Sequence, residues 1–308
     1  MKPGVSVVMI FRDEEQFIAG ALASVLNQQY TDWELILVDD GSIDNSKKIA
    51  LKVLEKVTQP VVYLSHPKNE NRGMSASRKL GVANSHGKAI GFLDADDVWE
   101  TQKLNEQIDI LRRFPEISAV YGRTLIWNSW QGDSARPASD TRTDDFFYDL
   151  GVEPDQVANS ETLFHLLLEN QCQSPTTCNI LFRREFFDRS RFVDAFTGMY
   201  EDQVLYFQLF AEESVYVAGK VWARYRQHDD SEVARHESAN EYFSGRLMLL
   251  EWLSDYVENL PRQKSSLKGA VRKTLFAYRY PRLAASIRNP SGIPKRIASR
   301  CRRLFEIA

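Results

Sequence analysis

No stretch of this chain approaches the ~18–20 consecutive apolar residues that cross a bilayer as a helix. The first residues enter a strand-like pattern directly, so no secretory leader is expected. Cysteine is scarce. Cys172, Cys178 and Cys301 form no CxxC pair and lack metal-ligand spacing. An odd, unpatterned set of thiols excludes a disulfide framework and predicts a reducing, cytoplasmic setting. Glycine is missing after the first apolar run, where the loop reads Arg12-Asp13-Glu14-Glu15. Internal repeats are absent, and so is any nucleic-acid-binding motif, so no nucleic-acid partner is expected. Acids are nearly missing from the end of the chain: residues 261–308 hold 13 Lys and Arg against Glu306 alone. That segment carries +12, and since the whole chain carries −3 the first 260 residues carry −15.

Acids cluster elsewhere at the ends of apolar runs. Ala89-Ile90-Gly91-Phe92-Leu93 leads into Asp94-Ala95-Asp96-Asp97. Glu34-Leu35-Ile36-Leu37-Val38 leads into Asp39-Asp40-Gly41-Ser42, and Glu201-Asp202 opens a further apolar-patterned segment. A buried strand delivers such acids to the sheet edge where open α/β sheets bind ligands. On an extended backbone Asp94 and Asp96 point to one side, where a hard divalent ion shared with substrate phosphates would relieve their repulsion. A turn or helix cap is the alternative reading of the same residues.

The first half alternates strand and helix. Strands are predicted over 5–11, 34–39, 61–65, 88–94 and 119–127. Asp13 and Gln16 read as a capping box for a helix carrying Phe17, Ile18, Ala21, Leu22, Val25 and Leu26. Further helices are predicted over 44–57, 75–84 and 101–113. This order gives a doubly wound, mostly parallel, Rossmann-like α/β sheet. Residues 131–160 are polar and turn-rich, either a flexible insertion or a functional loop in which Phe146-Phe147-Tyr148 forms a lid or a substrate platform. Beyond it, helices are predicted over 161–170, 202–212 and 240–260, and strands over 177–183 and 215–227. The predicted division is an α/β domain over 1–235 and a basic helical extension over 236–308. Ile293, Ile297, Cys301, Leu304 and Phe305 form an apolar stripe beside arginines. Such a helix either lies on an anionic membrane surface or packs its stripe on the rest of the chain.

Taken in order, these pieces resemble the family 2 glycosyltransferases of GT-A fold that build bacterial surface polysaccharides. The resemblance covers about 4–230 and rests on Val5–Met9, Ser24–Gln28, Glu34–Ser42, Asn71–Arg78, Gly91–Asp97 and Glu201-Asp202. It implies a nucleoside-diphosphate sugar donor, commonly UDP-linked, and a saccharide or polyprenyl-linked acceptor; the basic tail adds the expectation of docking on the cytoplasmic face of the membrane. By the family pattern, Phe11, Arg12, Glu14, Asp40, Arg78, Asp94, Ala95 and Asp96 contact the donor. Asp40 would meet the base, and Asp94 would lie nearer the ribose. Asp96, with His228 of Tyr225-Arg226-Gln227-His228, would hold Mn²⁺ or Mg²⁺, and Asp202, with Glu201 beside it, would be the catalytic base. The sequence departs from the pattern where Arg12 replaces an aromatic after the first strand and where Arg78-Lys79-Leu80-Gly81 replaces Arg-Asn-x-Gly. The processive Gln-x-x-Arg-Trp motif is absent, which predicts one sugar per visit.

The chemistry is consistent with those residue types. A sugar leaving a diphosphate builds negative charge that cations and donors such as Arg78 and His228 can neutralise. The attacking hydroxyl needs a base, and a single base opposite the leaving group implies inversion. Each residue keeps a plainer reading: Asp202 as a helix cap, Asp40 as a turn residue, Arg78 on an exposed helix face, His228 as an ordinary histidine. A sugar-nucleotide pyrophosphorylase would need a basic, glycine-rich first loop, which Arg12–Glu15 is not. A catalytically inactive scaffold of the same fold is the non-enzymatic alternative.

Overall fold

The computed structural model describes residues 2–131, 144–171, 175–229, 231, 239–281 and 283–284. The Ile293–Phe305 stripe and the thiols Cys172 and Cys301 lie outside them.

The strands are β1 (Val5–Phe11), β2 (Trp33–Asp39), β3 (Val61–Ser65), β4 (Ala89–Asp94), β5 (Val98–Trp99), β6 (Ala119–Trp127), β7 (Gln156–Ala158), β8 (Leu181–Arg183) and β9 (Val215–Arg226). They form one sheet in the order β3-β2-β1-β4-β8-β6-β9-β5, with β7 added against β9. The β3-β2-β1-β4 block is parallel, and so are β6 and β9; β8 is antiparallel to both β4 and β6. Strand β8 is shorter than the predicted 177–183, because the chain turns at 177–179 before pairing.

Helices α1 (Ile18–Leu26), α2 (Ser46–Leu54), α3 (Met74–Ala83), α4 (Lys103–Arg113), α5 (Ser160–Leu168), α6 (Glu201–Glu212), α7 (Ala239–Glu258) and α8 (Ser265–Arg279) cover the sheet. The strands have the period of two that a sheet buried on both faces demands. Val7, Met9, Leu35 and Leu37 face a core shared with α1 and α4, whereas Val8, Ile10, Ile36 and Val38 face a core shared with α5 and α6. Leu249, Leu250, Leu253 and Val257 of α7 and Leu267, Val271 and Leu275 of α8 join that second core. Fully burying such a side chain stabilises by about 1.5–3 kcal/mol, so α7 and α8 are held by packing rather than by intrinsic helicity.

The capping box after β1 does not form. Helix α1 begins at Ile18, its cap is Phe17, and no side chain caps it. Asp13 instead adopts a left-handed backbone (φ 55°), and its Oδ1 accepts the amide of Ile43 at 2.7 Å. Glu15 Oε2 accepts the amide of Asn45 at 3.0 Å. The carboxylates tie the loop after β1 to the loop after β2, a tertiary use that outweighs the local one.

Register places the ends of the central strands level. Phe11 pairs with Asp39 and Ile10 with Asp94, so the acids after β2 and β4 emerge along one sheet edge.

Candidate active site

Helix α3 draws the three acid clusters together. Its entry is made possible by Gly73, whose φ of 85° and contact with the Thr197 carbonyl leave no room for a Cβ. Asp40 is buried and accepts the amides of Arg72 (2.7 Å) and Gly73 (2.9 Å), which places its negative charge where the α3 dipole favours one. Buried His66 lies 3.6 Å from the same carboxylate and 2.9 Å from Ser77 Oγ. One residue further along α3, Arg78 is 2% exposed. Its Nη2 donates to Asp94 Oδ1 at 2.5 Å, and its Nη1 pairs with Glu201. Arg78 therefore lies neither on an exposed face nor free in the cleft. It bridges the end of β4 to the start of α6.

The backbone turns at 95–96, with the amide of Asp97 bonded to the Asp94 carbonyl at 3.1 Å. Asp94 and Asp96 are thus not related by strand alternation as the sequence suggested, because the strand ends at Asp94. Ala95 is buried beneath the turn. Asp97 is 1% exposed and accepts the Arg226 amide at 2.9 Å. Burial, then the neighbouring Asp96 and Asp94, push its carboxyl well above the usual carboxylate range. Asp96 retains its exposure to the cleft, and its Oδ2 lies 3.1 Å from His228 Nε2.

Arg226, at the end of β9, is the residue the sequence did not single out. Its Nε donates to the Asp96 carbonyl at 2.7 Å. Its guanidinium lies 4.8, 4.5 and 4.9 Å from the ring centroids of Phe17, Trp127 and Trp130. Phe17 also stands 4.7 Å from the His228 ring. Aromatic faces that attract a cation hold the backbone of the Asp96 turn in place. The sequence signal for it was its place in Tyr225-Arg226-Gln227-His228, where only His228 was given a role.

Asp202 is partly exposed in the first turn of α6, where Oδ1 accepts the amide of Gln203 at 2.8 Å. Burial raises its carboxyl, Arg78 opposes that shift, and Asp94 adds to it. Asp94 is raised too, by burial first, against the pull of Arg78. The residue before the pair, Tyr200, has a left-handed backbone (φ 68°). That conformation is rare for a bulky residue and concentrates at functional sites. Its ring packs edge-on against Tyr242 of α7 at 5.7 Å.

On the other side of the edge, Phe11 is buried at the end of β1 and its carbonyl accepts the Asp40 amide at 2.9 Å. Arg12 is half exposed with a single 3.9 Å approach to Asp13. Glu14 lies close enough to favour the charge on Arg226.

No cluster of three or more His, Cys, Asp and Glu suited to a metal is present among the described residues. The Asp96–His228 pair nevertheless fits an ion shared with a substrate. Its 3.1 Å separation is close to the about 3.0 Å edge of an octahedron with ligands at about 2.1 Å. His228 Nδ1 is buried without a hydrogen-bond partner among the described residues, so the second hydrogen bond that usually orients a metal-bound histidine is not formed there.

The description "Glycosyl transferase family 2" matches residues 6–190. The chain is 34% identical over 125 residues to the UDP-Glc:alpha-D-GlcNAc-diphosphoundecaprenol beta-1,3-glucosyltransferase WfgD of Escherichia coli. That match covers 41% of this chain and 47% of WfgD, so the chain spans less than half of that relative's length. TarS of S. aureus in complex with UDP-GlcNAc superposes with a TM-score of 0.64 at 13% identity, over 94% of this chain and 76% of TarS. The mannosyltransferase PcManGT from Pyrobaculum calidifontis, in complex with GDP-Man and Mn²⁺, gives 0.58 at 15% identity, over 100% and 81%. At such identities the structural likeness speaks for the GT-A fold alone. The matched description spans more than half of the chain and takes in the ends of β1, β2 and β4 together with α3, and the chain belongs to glycosyl transferase family 2.

Proposed function

We propose that this chain moves one sugar from a nucleoside-diphosphate donor to a hydroxyl of a saccharide or polyprenyl-linked acceptor in cell-surface polysaccharide synthesis, with inversion. The observation that carries the reading is the Arg78 bridge, which brings Asp202 beside the Asp94–Asp96 turn. UDP is the first nucleotide to try, since WfgD is named for UDP-glucose and TarS was solved with UDP-GlcNAc. The occupied carboxylates of Asp13 and Glu15 favour this reading over a pyrophosphorylase, whose first loop would have to cradle phosphates.

Phe11, Arg12, Glu14 and Asp40 would lie on the nucleoside side of the donor. Arg78, Asp94, Ala95 and Asp96 would lie on its diphosphate-sugar side. Asp202 would accept the proton of the acceptor hydroxyl as its oxygen attacks the anomeric carbon from the face opposite the leaving diphosphate. Glu201, neutralised by Arg78, would keep α6 and hence Asp202 in place. Mn²⁺ or Mg²⁺ held by Asp96 and His228 would supply Lewis-acid neutralisation of the diphosphate.

Titration of UDP by calorimetry tests the Asp96 assignment. Affinity with Mn²⁺ should fall at least about tenfold on adding EDTA, a loss of about 1.4 kcal/mol. Asp96→Ala should bind UDP equally with and without Mn²⁺. An unchanged metal response in that variant removes Asp96 from the site.

The +12 charge of residues 261–308 supports docking on an anionic cytoplasmic membrane surface. Among the described residues no helix is long and apolar enough to cross a membrane. Each Lys or Arg near such a surface contributes about 1 kcal/mol, screened over a Debye length of about 8 Å at physiological salt. The full chain should co-sediment with phosphatidylserine-rich vesicles in a salt-sensitive way, and a chain ending at Asn289 should bind clearly less. Equal sedimentation of the two would make the tail a packing element.

A further inference from the structure

Three aromatic rings stand exposed at one place beside the cleft. Phe146, Phe147 and Tyr148 are 41%, 43% and 54% exposed, within the sequence Asp144-Asp145-Phe-Phe-Tyr-Asp149. The segment is tied down at both ends. The Asp145 carboxylate accepts the amides of Asn128 (2.9 Å) and Ser129 (2.8 Å), and Leu150 is fully buried. Phe146 exchanges both backbone hydrogen bonds with Ile126, at 2.9 and 3.3 Å. A segment anchored in this way is a fixed surface, not a lid.

The register states where that surface lies. Alternate residues of a strand direct their backbone groups to opposite edges. Trp127 directs its carbonyl to Gln227, just past β9, so Ile126 directs its own groups to the other edge of β6, and Phe146 lies there. That is the edge on which β8 and then β4 follow, and β4 ends in Asp94. Phe146 therefore lies beside Ile126 and shares its face of the sheet, one residue before Trp127, whose ring lies on the other face and holds the Arg226 that anchors Asp96. Phe146 and Tyr148 are two apart and share a face, with their rings edge-on at 5.1 Å.

Resting on the glycosyltransferase reading above, we infer that Phe146 and Tyr148 form the acceptor platform, on which the apolar face of a neutral pyranose stacks. The flanking charge selects the occupant. Asp144, Asp145 and Asp149 repel an anionic lipid surface or a phosphorylated ligand; the Asp145 oxygens are taken by Asn128 and Ser129, so Asp144 and Asp149 are the acceptors offered to sugar hydroxyls. Flat rings bordered by acids match a pyranose, which offers C–H groups on one face and O–H groups at its rim. Phe147, between them, makes no ring contact among the described residues and is left out of the platform.

The test uses the full chain with Mn²⁺ and UDP, and methyl glycosides of glucose, galactose and N-acetylglucosamine as probes. Saturation-transfer NMR should show transfer to pyranose C–H protons. Phe146→Ala/Tyr148→Ala should weaken the glycoside that binds by about tenfold, as removal of two ring contacts implies. Tyr148→Phe and Phe147→Ala should bind as the parent does. UDP affinity and the slow hydrolysis of a UDP-sugar by water should be unchanged in every variant. Those two readouts report the donor site, so failure of the enzyme reading is seen separately. The platform is overturned if no glycoside gives a signal with the parent, if the double variant binds as well, or if UDP affinity falls in step with glycoside binding. Loss of binding to phosphatidylserine vesicles by the double variant, with glycoside binding intact, would assign the rings to lipid instead.

Discussion

Asp202→Asn is expected to lower sugar transfer by about 10²- to 10⁴-fold, the usual worth of a positioned general base, with donor affinity unchanged. The amide keeps the shape of the side chain and its bond to the Gln203 amide, but it cannot take a proton. Steady-state rates paired with UDP-sugar binding by calorimetry distinguish this from a structural defect. A variant that turns over within about threefold of the parent, well inside the usual effect, would remove Asp202 from the base role. The pH profile gives a second reading. Burial raises the Asp202 carboxyl, so it loses its proton at higher pH than an ordinary aspartate. Activity should climb with pH through that raised range, and the limb should be missing in Asp202→Asn. The stability effect has the opposite sign. The folded chain binds this proton more tightly than the unfolded chain does, so the contribution is present at low pH and is lost as pH rises through the folded pKa.

Arg78→Met is expected to destabilise the fold by about 3–5 kcal/mol, the range for removing one partner of a buried ion pair. Methionine fills much of the volume but leaves Glu201, whose side chain is 3% exposed, as an uncompensated buried charge. Asp94, at 27%, can be partly solvated and contributes less. Urea unfolding of the parent, Arg78→Met and Arg78→Met/Glu201→Gln measures the effect. The double variant should recover part of the loss, because the stranded charge is gone. Arg78→Lys should fall between parent and Met, since one ammonium cannot span two carboxylates as a planar guanidinium does. A loss below about 1 kcal/mol in Arg78→Met would mean that water reaches the pair, as in a surface ion pair.

The central strands were legible because their residues repeat with the period of a buried sheet. Val5–Phe11, 34–39 and 89–94 are runs of β-branched and apolar residues interrupted only by the acids that end them. The acid clusters were legible for the same reason, because a carboxylate at the end of a buried run has few places to go except the sheet edge. Local rules failed where a distant partner outbid a near one. Asp13 had the spacing of a helix cap, but the amides of Ile43 and Asp44 took its carboxylate. Thr177–Asn179 had strand-like neighbours, yet the chain turns there, and the buried side chain of Asn179 bonds the Gly122 amide and the Arg123 carbonyl.

Composition and periodicity therefore determine that this chain is a doubly wound α/β protein with acids along one sheet edge, because both follow from residues near one another in sequence. Which partners those acids take is decided only in the folded chain. Arg78 meets Glu201 across 123 residues and Arg226 meets Asp96 across 130, separations at which no local pattern carries information. The same holds for Phe146, whose place at the cleft depends on pairing with Ile126 and on the strand order of the sheet. Contacts of that range are set by the packing of whole elements, whose energy is shared among many side chains and is written in no single segment.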